Sequence, residues 1–336
     1  MSKSNPFFDS KKQQHHRKSG FRNPLGSPKG YRLSTELARD GAHFLGELLR
    51  FVGKPHPFPP DHVIPEPDAI EQMNNQPDSH KVTWLGHASF LVHMNEKRLI
   101  TDPFLSDYAS PFPVRSVKRL VPPAIAAERL PALDVILVSH NHYDHLDAVT
   151  LRKLAKANPS VQVVVPLGLK PMLKKLGFSQ VTEVDWYESV VIDSLEITGL
   201  PAVHMSRRGV GDGDGDGNRT LWCGFAMKES SKQLYFSGDT AYGEVFKEIG
   251  ERVGPFDAAL IPIGAYKPRS LMRNLHVSPE EGIQIGLDIQ ARKLIAMHWG
   301  TIRLTTEPLL EPKERFLADR RKTDKVVLRI GETCPF

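Results

Sequence analysis

The sequence HNHYDH at residues 140–145 constrains this chain more than any other feature, because it directly follows the apolar run DVILVS. A short run rich in β-branched residues is typical of a buried strand. Four metal-binding side chains crowded at the end of such a strand would be costly unless a charged species binds them. The chain must therefore fold so that this strand ends in a polar site.

The spacing within this motif suits two metal ions. Alternate residues of an extended segment point the same way, so we expect His140 and His142 to share one ion and Asp144 and His145 to serve a second. A tetrahedral site needs more ligands than either pair supplies. Imidazole and carboxylate groups without a thiolate suit zinc, with iron and manganese as alternatives.

Three later strands also end in a metal-competent residue. His204 follows SLEITGLPAV, Asp239 follows QLYFSG and His298 follows KLIAM. Each alone has a simpler interpretation, since Asp239 can cap a helix and a lone histidine can be an ordinary surface or core residue. Because functional residues of layered folds gather at strand ends, we predict that all three join the HNHYDH cluster.

The rest of the chain alternates between strands and helices. VTWLGHASFLVHM predicts a hairpin around Gly86, and further strands such as VQVVVP are separated by helical patterns such as LDAVTLRKLAKAN. We predict one large α/β domain over residues 81–336, built of two sheets covered by helices.

Two segments precede that domain. Residues 33–80 predict a helix, capped by Ser34 or Thr35, and then a proline-rich extended stretch that wraps the surface. The helix has an apolar face that either packs on the domain or forms the entrance for a long lipid. That face consists of Leu37, Phe44, Leu45, Leu48 and Val52.

The net positive charge of the chain comes from residues 1–32, which hold eight lysines and arginines and one acidic residue. The remaining residues hold 36 lysines and arginines and 38 acidic residues. We predict a basic, disordered arm that either contacts anionic lipid head groups or is simply a solvated tail. No candidate ligand lies in it, so we expect its removal to leave hydrolysis of a soluble substrate unchanged. The near-neutral remainder argues against a nucleic-acid partner.

Two distant cysteines, Cys223 and Cys334, exclude a disulfide scaffold and favour a reducing compartment. No apolar run is long enough for a membrane span and no secretory signal is recognisable. We expect a cytoplasmic protein, peripheral at a membrane through its basic arm. The sequence leaves open whether it forms an oligomer. The run GDGDGDG at 211–217 predicts a mobile loop rather than a calcium site.

Longer motifs carry a family resemblance. TWLGHASFLV, TDPFLSDYASP, LVSHNHYDHLD, YFSGDTAY, IPIGAYKPR, HVSPEE and AMHWGT occur in this order. The chain resembles the metallo-β-lactamase superfamily and, within it, the N-acylphosphatidylethanolamine-hydrolysing phospholipase D family, from about Val82 to the C-terminus. The resemblance implies a four-layer αββα sandwich, two zinc ions and phosphodiester hydrolysis in an N-acylated phospholipid.

The resemblance also implies the division of the ligands. His140, His142 and His204 would hold the first ion, and the second set is Asp144, His145 and His298. Asp239 would bridge both. The nucleophile would be a metal-bound hydroxide. Two divalent cations, two carboxylates and one hydroxide leave a single net positive charge, which suits a phosphodiester anion.

Four further residues are candidates near the site. His276 in HVSPEE would contact phosphate or transfer a proton, or it is a helix-entry residue. Arg208 would contact the anion, or it is an ordinary surface arginine. Asp102 in TDP and His87 in GHAS would orient the metal ligands, or they are turn residues.

Two other functions stay open at this point. The same dinuclear site suits hydrolysis of a small ester or lactone. A non-catalytic metal-binding protein is the third interpretation, against which the complete ligand set argues.

Overall fold

Two β-sheets packed face to face form the centre of the computed structural model, and helices cover both outer faces. The structure describes residues 5–9, 11, 15–28, 35–208 and 217–336. The predicted four-layer αββα sandwich is confirmed. Ser34, the side chain of Leu37 and most of the GDGDGDG run lie outside the described residues.

The first sheet contains the HNHYDH strand. Its spatial order is β16 (Thr333–Pro335), β3 (His80–Gly86), β4 (Ser89–Met94), β5 (Lys97–Thr101), β6 (Val135–Leu137), β7 (Gln162–Pro166) and β8 (Gln180–Val184). Pairing is antiparallel from β16 to β5 and parallel from β5 to β8. The predicted hairpin around Gly86 is the β3–β4 pair.

The second sheet repeats this pattern. Its spatial order is β9 (Ser189–Ile192), β10 (Leu195–Leu200), β11 (Gly224–Glu229), β12 (Lys232–Phe236), β13 (Phe256–Pro262), β14 (Ala291–Met297) and β15 (Asp324–Val326). Pairing is antiparallel from β9 to β12 and parallel from β12 to β15. The carboxyl ends of the parallel strands of both sheets therefore meet at one edge of the sandwich.

Eight α-helices are found among the described residues. They are α1 (Thr35–Phe51), α2 (Glu66–Asn75), α3 (Ala148–Ala157), α4 (Lys170–Lys175), α5 (Val245–Arg252), α6 (Arg269–Met272), α7 (Pro279–Asp288) and α8 (Glu311–Ala318). Helix α7 packs on β13 and β14, whereas α4 packs on β8 and α2 on β16. Asp147 caps α3 directly after the HNHYDH motif, and Ser278 caps α7 with a capping box just after His276.

The core lies between the two sheets and under the helices. Its largest fully buried side chains include Trp84, Phe90, Phe225 and Phe236, which come from strands of both sheets. Such strands are apolar on both faces because each sheet is covered by the other sheet and by helices. This packing fixes the strand ends that carry the candidate ligands.

The prediction of a disordered basic arm is wrong for the part of residues 1–32 that the structure describes. Strands β1 (His16–Arg17) and β2 (Gly20–Phe21) form a short hairpin. The side chains of His15, His16 and Phe21 are buried against the sandwich. The lysines and arginines that suggested a solvated arm, such as Arg17 and Lys18, lie on the exposed face of this hairpin.

The prediction that residues 33–80 end in an extended, proline-rich stretch is also wrong in part, because α2 lies within that stretch. Pro67 occupies the first turn of α2, where a proline removes no helical hydrogen bond. Ala69 and Met73 lie one turn apart and are both buried. The predicted boundaries at 32 and 80 stay predictions. Within the described ranges, none of the helices combines the length and apolar character needed to cross a bilayer.

Candidate metal centre

The HNHYDH motif forms a tight turn at the carboxyl end of β6, in which the amide of His145 donates to the carbonyl of His142. His204 follows β10, Asp239 follows β12 and His298 follows β14. The structure therefore brings together all of the side chains that the sequence assigned to a metal site, and they form two groups.

The first group consists of His140, His142 and His204 around Asp239. Nδ1 of His142 lies 2.9 Å from Nε2 of His140 and 3.2 Å from Nε2 of His204. Oδ2 of Asp239 lies 3.9 Å from Nε2 of His140 and 3.8 Å from Nε2 of His204. Three imidazole nitrogens and one carboxylate oxygen thus converge on one small space.

The second group consists of Asp144, His145 and His298 around the same Asp239. Nε2 of His145 lies 3.1 Å from Oδ2 of Asp239, and Nε2 of His298 lies 3.0 Å from Oδ1. Oδ2 of Asp144 lies 3.5 Å from His145 and 3.7 Å from His298. Asp239 is accordingly the residue that both groups share.

The hydrogen-bond network fixes three histidines through their outward nitrogens, once tautomers are assigned from their partners. His145 donates through Nδ1 to Asp102, and His204 donates through Nδ1 to the carbonyl of Leu275. His140 donates through Nδ1 to the Ser139 hydroxyl, which itself donates to Asp102. Nε2 of each ring therefore faces the interior of the site. Burial lowers the pKa of His140 and of His204, so these two rings present a lone pair there, whereas at His145 Asp239 and Asp144 outweigh burial and raise the pKa well above its usual value.

Several buried polar atoms of the site have no hydrogen-bond partner among the described residues, namely Nε2 of His145, Nε2 of His298 and Oδ1 of Asp239. They lie close to one another instead, with Nε2 of His145 3.1 Å from Oδ2 of Asp239 and Nε2 of His298 3.0 Å from Oδ1. Buried polar atoms rarely stay unsatisfied. Converging lone pairs and orphaned atoms fit two divalent cations of the zinc type.

The charges of the site agree with this interpretation. Burial lowers the pKa of His140 well below its usual value and that of His142 to about 3, so both rings are neutral, which is the form that binds metal. Burial acts the same way on His298, but Asp239 and Asp144 outweigh it and raise its pKa to about 9. The two carboxylates thus favour positive charge in the second group.

The carboxylates themselves stay ionised. Burial would raise the pKa of Asp239, but His145 and His298 hold it well below its usual range. The pKa of Asp144 is likewise held low, mainly by His145. Two buried anions among histidines provide the charge that divalent cations require.

Three residues of the site adopt a left-handed backbone that non-glycine residues rarely take. The φ angles are +56° at His87, +34° at Asp102 and +59° at His298. Such conformations cost about 1–3 kcal/mol each and persist only where the surroundings impose them. Gly238 also has a positive φ of +57°, and a Cβ there would lie 2.7 Å from Cβ of Ser139. This turn brings Asp239 against the HNHYDH motif.

Asp102 and His87 both contact the ligand candidates: Asp102 hydrogen-bonds His145, and His87 lies in one group with Asp144, His145 and His298. Asp102 accepts hydrogen bonds from the Ser139 amide at 2.6 Å and from His145 Nδ1 at 2.6 Å. Nε2 of His87 lies 3.0 Å from Oδ2 of Asp144, and burial lowers the pKa of His87 to about 3. Neutral His87 thus donates to Asp144 and orients its carboxylate.

His276 lies at the mouth of the site, beside the shared carboxylate. Its Nδ1 is 3.9 Å from Oδ2 of Asp239, and its ring centroid is 5.3 Å from those of both His204 and His298. This Nδ1 is buried and has no hydrogen-bond partner within the described part of the chain. Burial lowers the pKa of His276 well below its usual value, so the ring is neutral.

Arg208 contacts the HNHYDH loop. Its guanidinium donates to the carbonyls of Asn141 and Leu146 at 2.8 and 2.9 Å and lies 3.9 Å from the centroid of the Tyr143 ring. These contacts give Arg208 a structural role at the loop. Its contact with a substrate anion stays a prediction.

Sequence reasoning missed two polar residues that hold the ligands. Ser139 connects Asp102 to His140, and its place directly before the motif was the signal that could have found it. Asn23 accepts a hydrogen bond from the backbone amide of His204 at 2.8 Å. It is 181 positions away in the chain, and no local pattern points to it.

The fold and the paired ligand groups define a metal-dependent hydrolase of the β-lactamase type. The family described as beta-lactamase superfamily domain matches residues 97–299. The chain is 41% identical over 267 residues to N-acyl-phosphatidylethanolamine-hydrolyzing phospholipase D 1 of Caenorhabditis elegans, covering 74% of each chain. It is 34% identical to the mitochondrial enzyme of the same name from Saccharomyces cerevisiae, over 74% of this chain and 53% of the yeast protein.

Among solved structures, Igni18, a metallo hydrolase from Ignicoccus hospitalis, matches with a TM-score of 0.56 and 20% identity, over 76% of this chain and 98% of that chain. This likeness concerns the fold alone. The protein belongs to the metallo-β-lactamase superfamily and, within it, to the family of N-acylphosphatidylethanolamine-hydrolysing phospholipases D.

Proposed function

We propose that the protein hydrolyses the phosphodiester bond of N-acylated phosphatidylethanolamine in the manner of a phospholipase D. Water adds to phosphorus, the bond from phosphorus to the ethanolamine oxygen breaks, and phosphatidic acid and an N-acylethanolamine are released. The observation that carries the proposal is that Asp239 lies in the first histidine group and also within 3.1 Å of His145 and 3.0 Å of His298 in the second. The names of the worm and yeast relatives support the choice of substrate.

Two zinc ions per chain are part of the proposal, with iron and manganese as alternatives. One would be held by His140, His142 and His204, and the other by Asp144, His145 and His298, with Asp239 shared. When bound, such a pair supplies Lewis acidity, which lowers the pKa of water and stabilises charge on the phosphoryl oxygens.

The residues behind the ligands keep the rings and carboxylates in a fixed orientation. Asp102 fixes the tautomer of His145, and the Leu275 carbonyl does the same for His204. His87 orients Asp144. Fixed dipoles and charges need no reorganisation during the reaction, which is the main source of electrostatic catalysis.

His276 is the candidate for contact with the reacting group. It is neutral, lies beside Asp239 and has an unpartnered Nδ1. In the proposed reaction this nitrogen hydrogen-bonds the phosphate, or it takes a proton from the attacking water and passes it to the departing ethanolamine oxygen. Both roles require an imidazole at the mouth of the site, which is where the ring lies.

A groove of about 610 Å³ beside the site supports a lipid substrate. Its lining combines the apolar side chains of Leu48, Phe51 and Val52 with basic groups such as Lys118 and Arg303. Arg303 also lines the small cavity that borders His87 and His298, and its guanidinium lies 4.0 Å from the centroid of the Phe51 ring. The end of α1 therefore lies next to this cavity, and we infer that an acyl chain enters along the groove.

Peripheral membrane contact completes the proposal, for a protein that we place in the cytoplasm. Leu45 and Leu49 on α1 are each 59% exposed and Phe112 is 72% exposed. Large apolar side chains exposed beside basic residues favour the surface of an anionic bilayer. Arg17 and Lys18 add exposed positive charge.

The test is a comparison of substrates with the zinc-loaded protein. We expect release of N-acylethanolamine and phosphatidic acid from vesicles of N-acylphosphatidylethanolamine, and slower hydrolysis of bis-p-nitrophenyl phosphate. Faster turnover of a lactone or small ester than of either diester would refute the lipid assignment. Absence of turnover on every substrate by protein with two bound ions would favour the non-catalytic interpretation.

A further inference from the structure

The N-terminal hairpin, residues 15–23, contacts the metal centre although it precedes the region that matches the family, which begins at residue 97. We propose that Asn23 of this hairpin is a positioning residue for His204. The inference rests on the role of His204 as a metal ligand in the proposed function. It makes the hairpin part of the active enzyme rather than a tail.

The contact between Asn23 and His204 is direct. Oδ1 of Asn23 accepts hydrogen bonds from the backbone amide of His204 at 2.8 Å and from the indole of Trp222 at 3.2 Å. The ring of His204 is held at its other end by the Leu275 carbonyl, 2.9 Å from Nδ1. Backbone and ring are thus each fixed by one acceptor, and Asn23 supplies the backbone one.

The hairpin also contacts the far end of the segment that follows His204. The amide of Phe21 donates to the carbonyl of Asn218 at 2.7 Å, and the side chain of Asn218 accepts from the amide of Ser206 at 3.1 Å. A Cβ on Gly20 would lie 2.1 Å from the Asn218 carbonyl oxygen, so only glycine allows this approach. The hairpin therefore contacts the chain both at His204 and fourteen residues later, at Asn218.

A buried cluster attaches the hairpin to the sandwich. Nε2 of His15 donates to Oδ1 of Asp185 at 2.6 Å and Nε2 of His16 to Oδ2 at 2.8 Å. The ring of His15 stacks on Trp186 with centroids 4.2 Å apart. Nδ1 of His16 lies 2.7 Å from the carbonyl oxygen of Phe7 and 3.3 Å from the amide nitrogen of Asp9. These contacts use both oxygens of Asp185, and the cluster anchors the hairpin that carries Asn23 to the sandwich.

The position of a ligand backbone matters because metal affinity depends on ligand orientation. Removing an outer partner of a metal ligand typically lowers affinity or activity by about 10–100-fold. Loss of the Asn23 oxygen would leave the His204 amide without its acceptor and free the ring to move from His140 and His142. We therefore expect removal of residues 1–32 to lower hydrolysis of a soluble substrate, contrary to the expectation from the sequence.

The experiment compares three variants of the full-length zinc protein. Asn23→Leu removes the acceptor at similar volume, Asn23→Asp keeps an acceptor oxygen, and Leu25→Ala changes an exposed neighbour in the same segment. Metal affinity is measured by competition with a chromophoric chelator, and ligand geometry by the visible spectrum of the cobalt-substituted protein.

We expect Asn23→Leu to weaken one of the two metal sites by about 10–100-fold and to alter the cobalt spectrum. Asn23→Asp should keep the metal affinity within a few-fold of that of the parent protein, and Leu25→Ala should leave the metal affinity unchanged. A folded Asn23→Leu protein with unchanged affinity at both sites would overturn the inference.

Gly20→Ala gives an independent test, because it displaces the hairpin from Asn218 without changing Asn23. It should weaken the same site, and if Asn23→Leu does not fold, an unchanged affinity in Gly20→Ala overturns the inference. Both measurements use metal alone. A protein that behaves as expected here but does not hydrolyse N-acylated phospholipid would refute the proposed function and leave the role of Asn23 standing.

Discussion

Oδ2 of Asp102 lies 2.6 Å from Nδ1 of His145, and both side chains are fully buried. Asp102 also accepts from the amide and the hydroxyl of Ser139, which in turn contacts His140. One carboxylate therefore orients a histidine of each ligand group. The site depends on residues behind the ligands as much as on the ligands themselves.

Replacement of Asp102 tests this dependence. Asp102→Asn offers one acceptor oxygen where three hydrogens need partners, so we expect metal affinity and kcat/KM to fall by about 10–100-fold. Asp134→Asn, on the surface near the start of β6, is the matched control. Chelator competition and turnover of a soluble diester measure the effect, and equal values for both variants would contradict it.

Two zinc-type ions per chain are expected from the two groups that share Asp239. Elemental analysis of protein purified without chelator measures the number directly. Chelator treatment should abolish hydrolysis and lower Tm, because ions that bind only the folded state stabilise it. Zinc added back should restore both, whereas a content clearly below one ion per chain would contradict the dinuclear site.

Asp239→Asn removes the one negative ligand that both groups share. We expect turnover to fall by more than about 100-fold, beyond the range seen for outer partners, while circular dichroism stays unchanged. Asp193→Asn, at an exposed carboxylate that pairs with Lys97, is the control. Near-normal turnover in Asp239→Asn would reduce this residue to a strand-end or capping role.

His276→Gln separates substrate chemistry from metal binding. If Nδ1 moves a proton, kcat should fall by about 10²–10⁴-fold while both ions stay bound. His93→Gln, on β4, is the control. A rise in KM with unchanged kcat would assign His276 to substrate binding alone, and loss of an ion would contradict its placement outside the ligand set.

Charge removal on the hairpin tests membrane contact without disturbing Asn23. Arg17→Gln with Lys18→Gln should lower binding to anionic vesicles, since each basic residue contributes about 1 kcal/mol near such a surface. The difference in vesicle binding between the variant and the parent protein should become smaller at high salt, because salt screens the charges. Hydrolysis of a soluble diester should be unchanged, and equal vesicle sedimentation with and without the two charges would exclude this surface.

The sequence by itself determined the sandwich, the strand ends and the candidate ligands. Buried strands such as β6 and β14 are continuous apolar runs, and HNHYDH is six consecutive residues. Both features can therefore be recognised from the local sequence. His204, Asp239 and His298 were found because each follows a strand. Family resemblance then divided the same residues between two ions, and in the structure they form two groups around Asp239.

Only the tertiary structure shows that the N-terminal segment forms a hairpin packed on the sandwich. Its excess of lysine and arginine predicted a solvated arm, but His15 and His16 pair with Asp185, which lies 170 and 169 positions away. Helix α2 was hidden in the same way by prolines that mark its start. Charge and proline counts describe a segment in isolation, whereas its burial depends on partners elsewhere in the chain.

Asn23 and His204 show the physical reason for this limit. A single asparagine beside a proline has no distinctive pattern. Asn23 becomes a hydrogen-bond acceptor for the His204 amide only when folding brings together residues that are 181 positions apart. Local periodicity fixes which strands form and where they end. Only the packing of the whole chain decides which distant acceptor completes the hydrogen bonds of the residues placed at those ends.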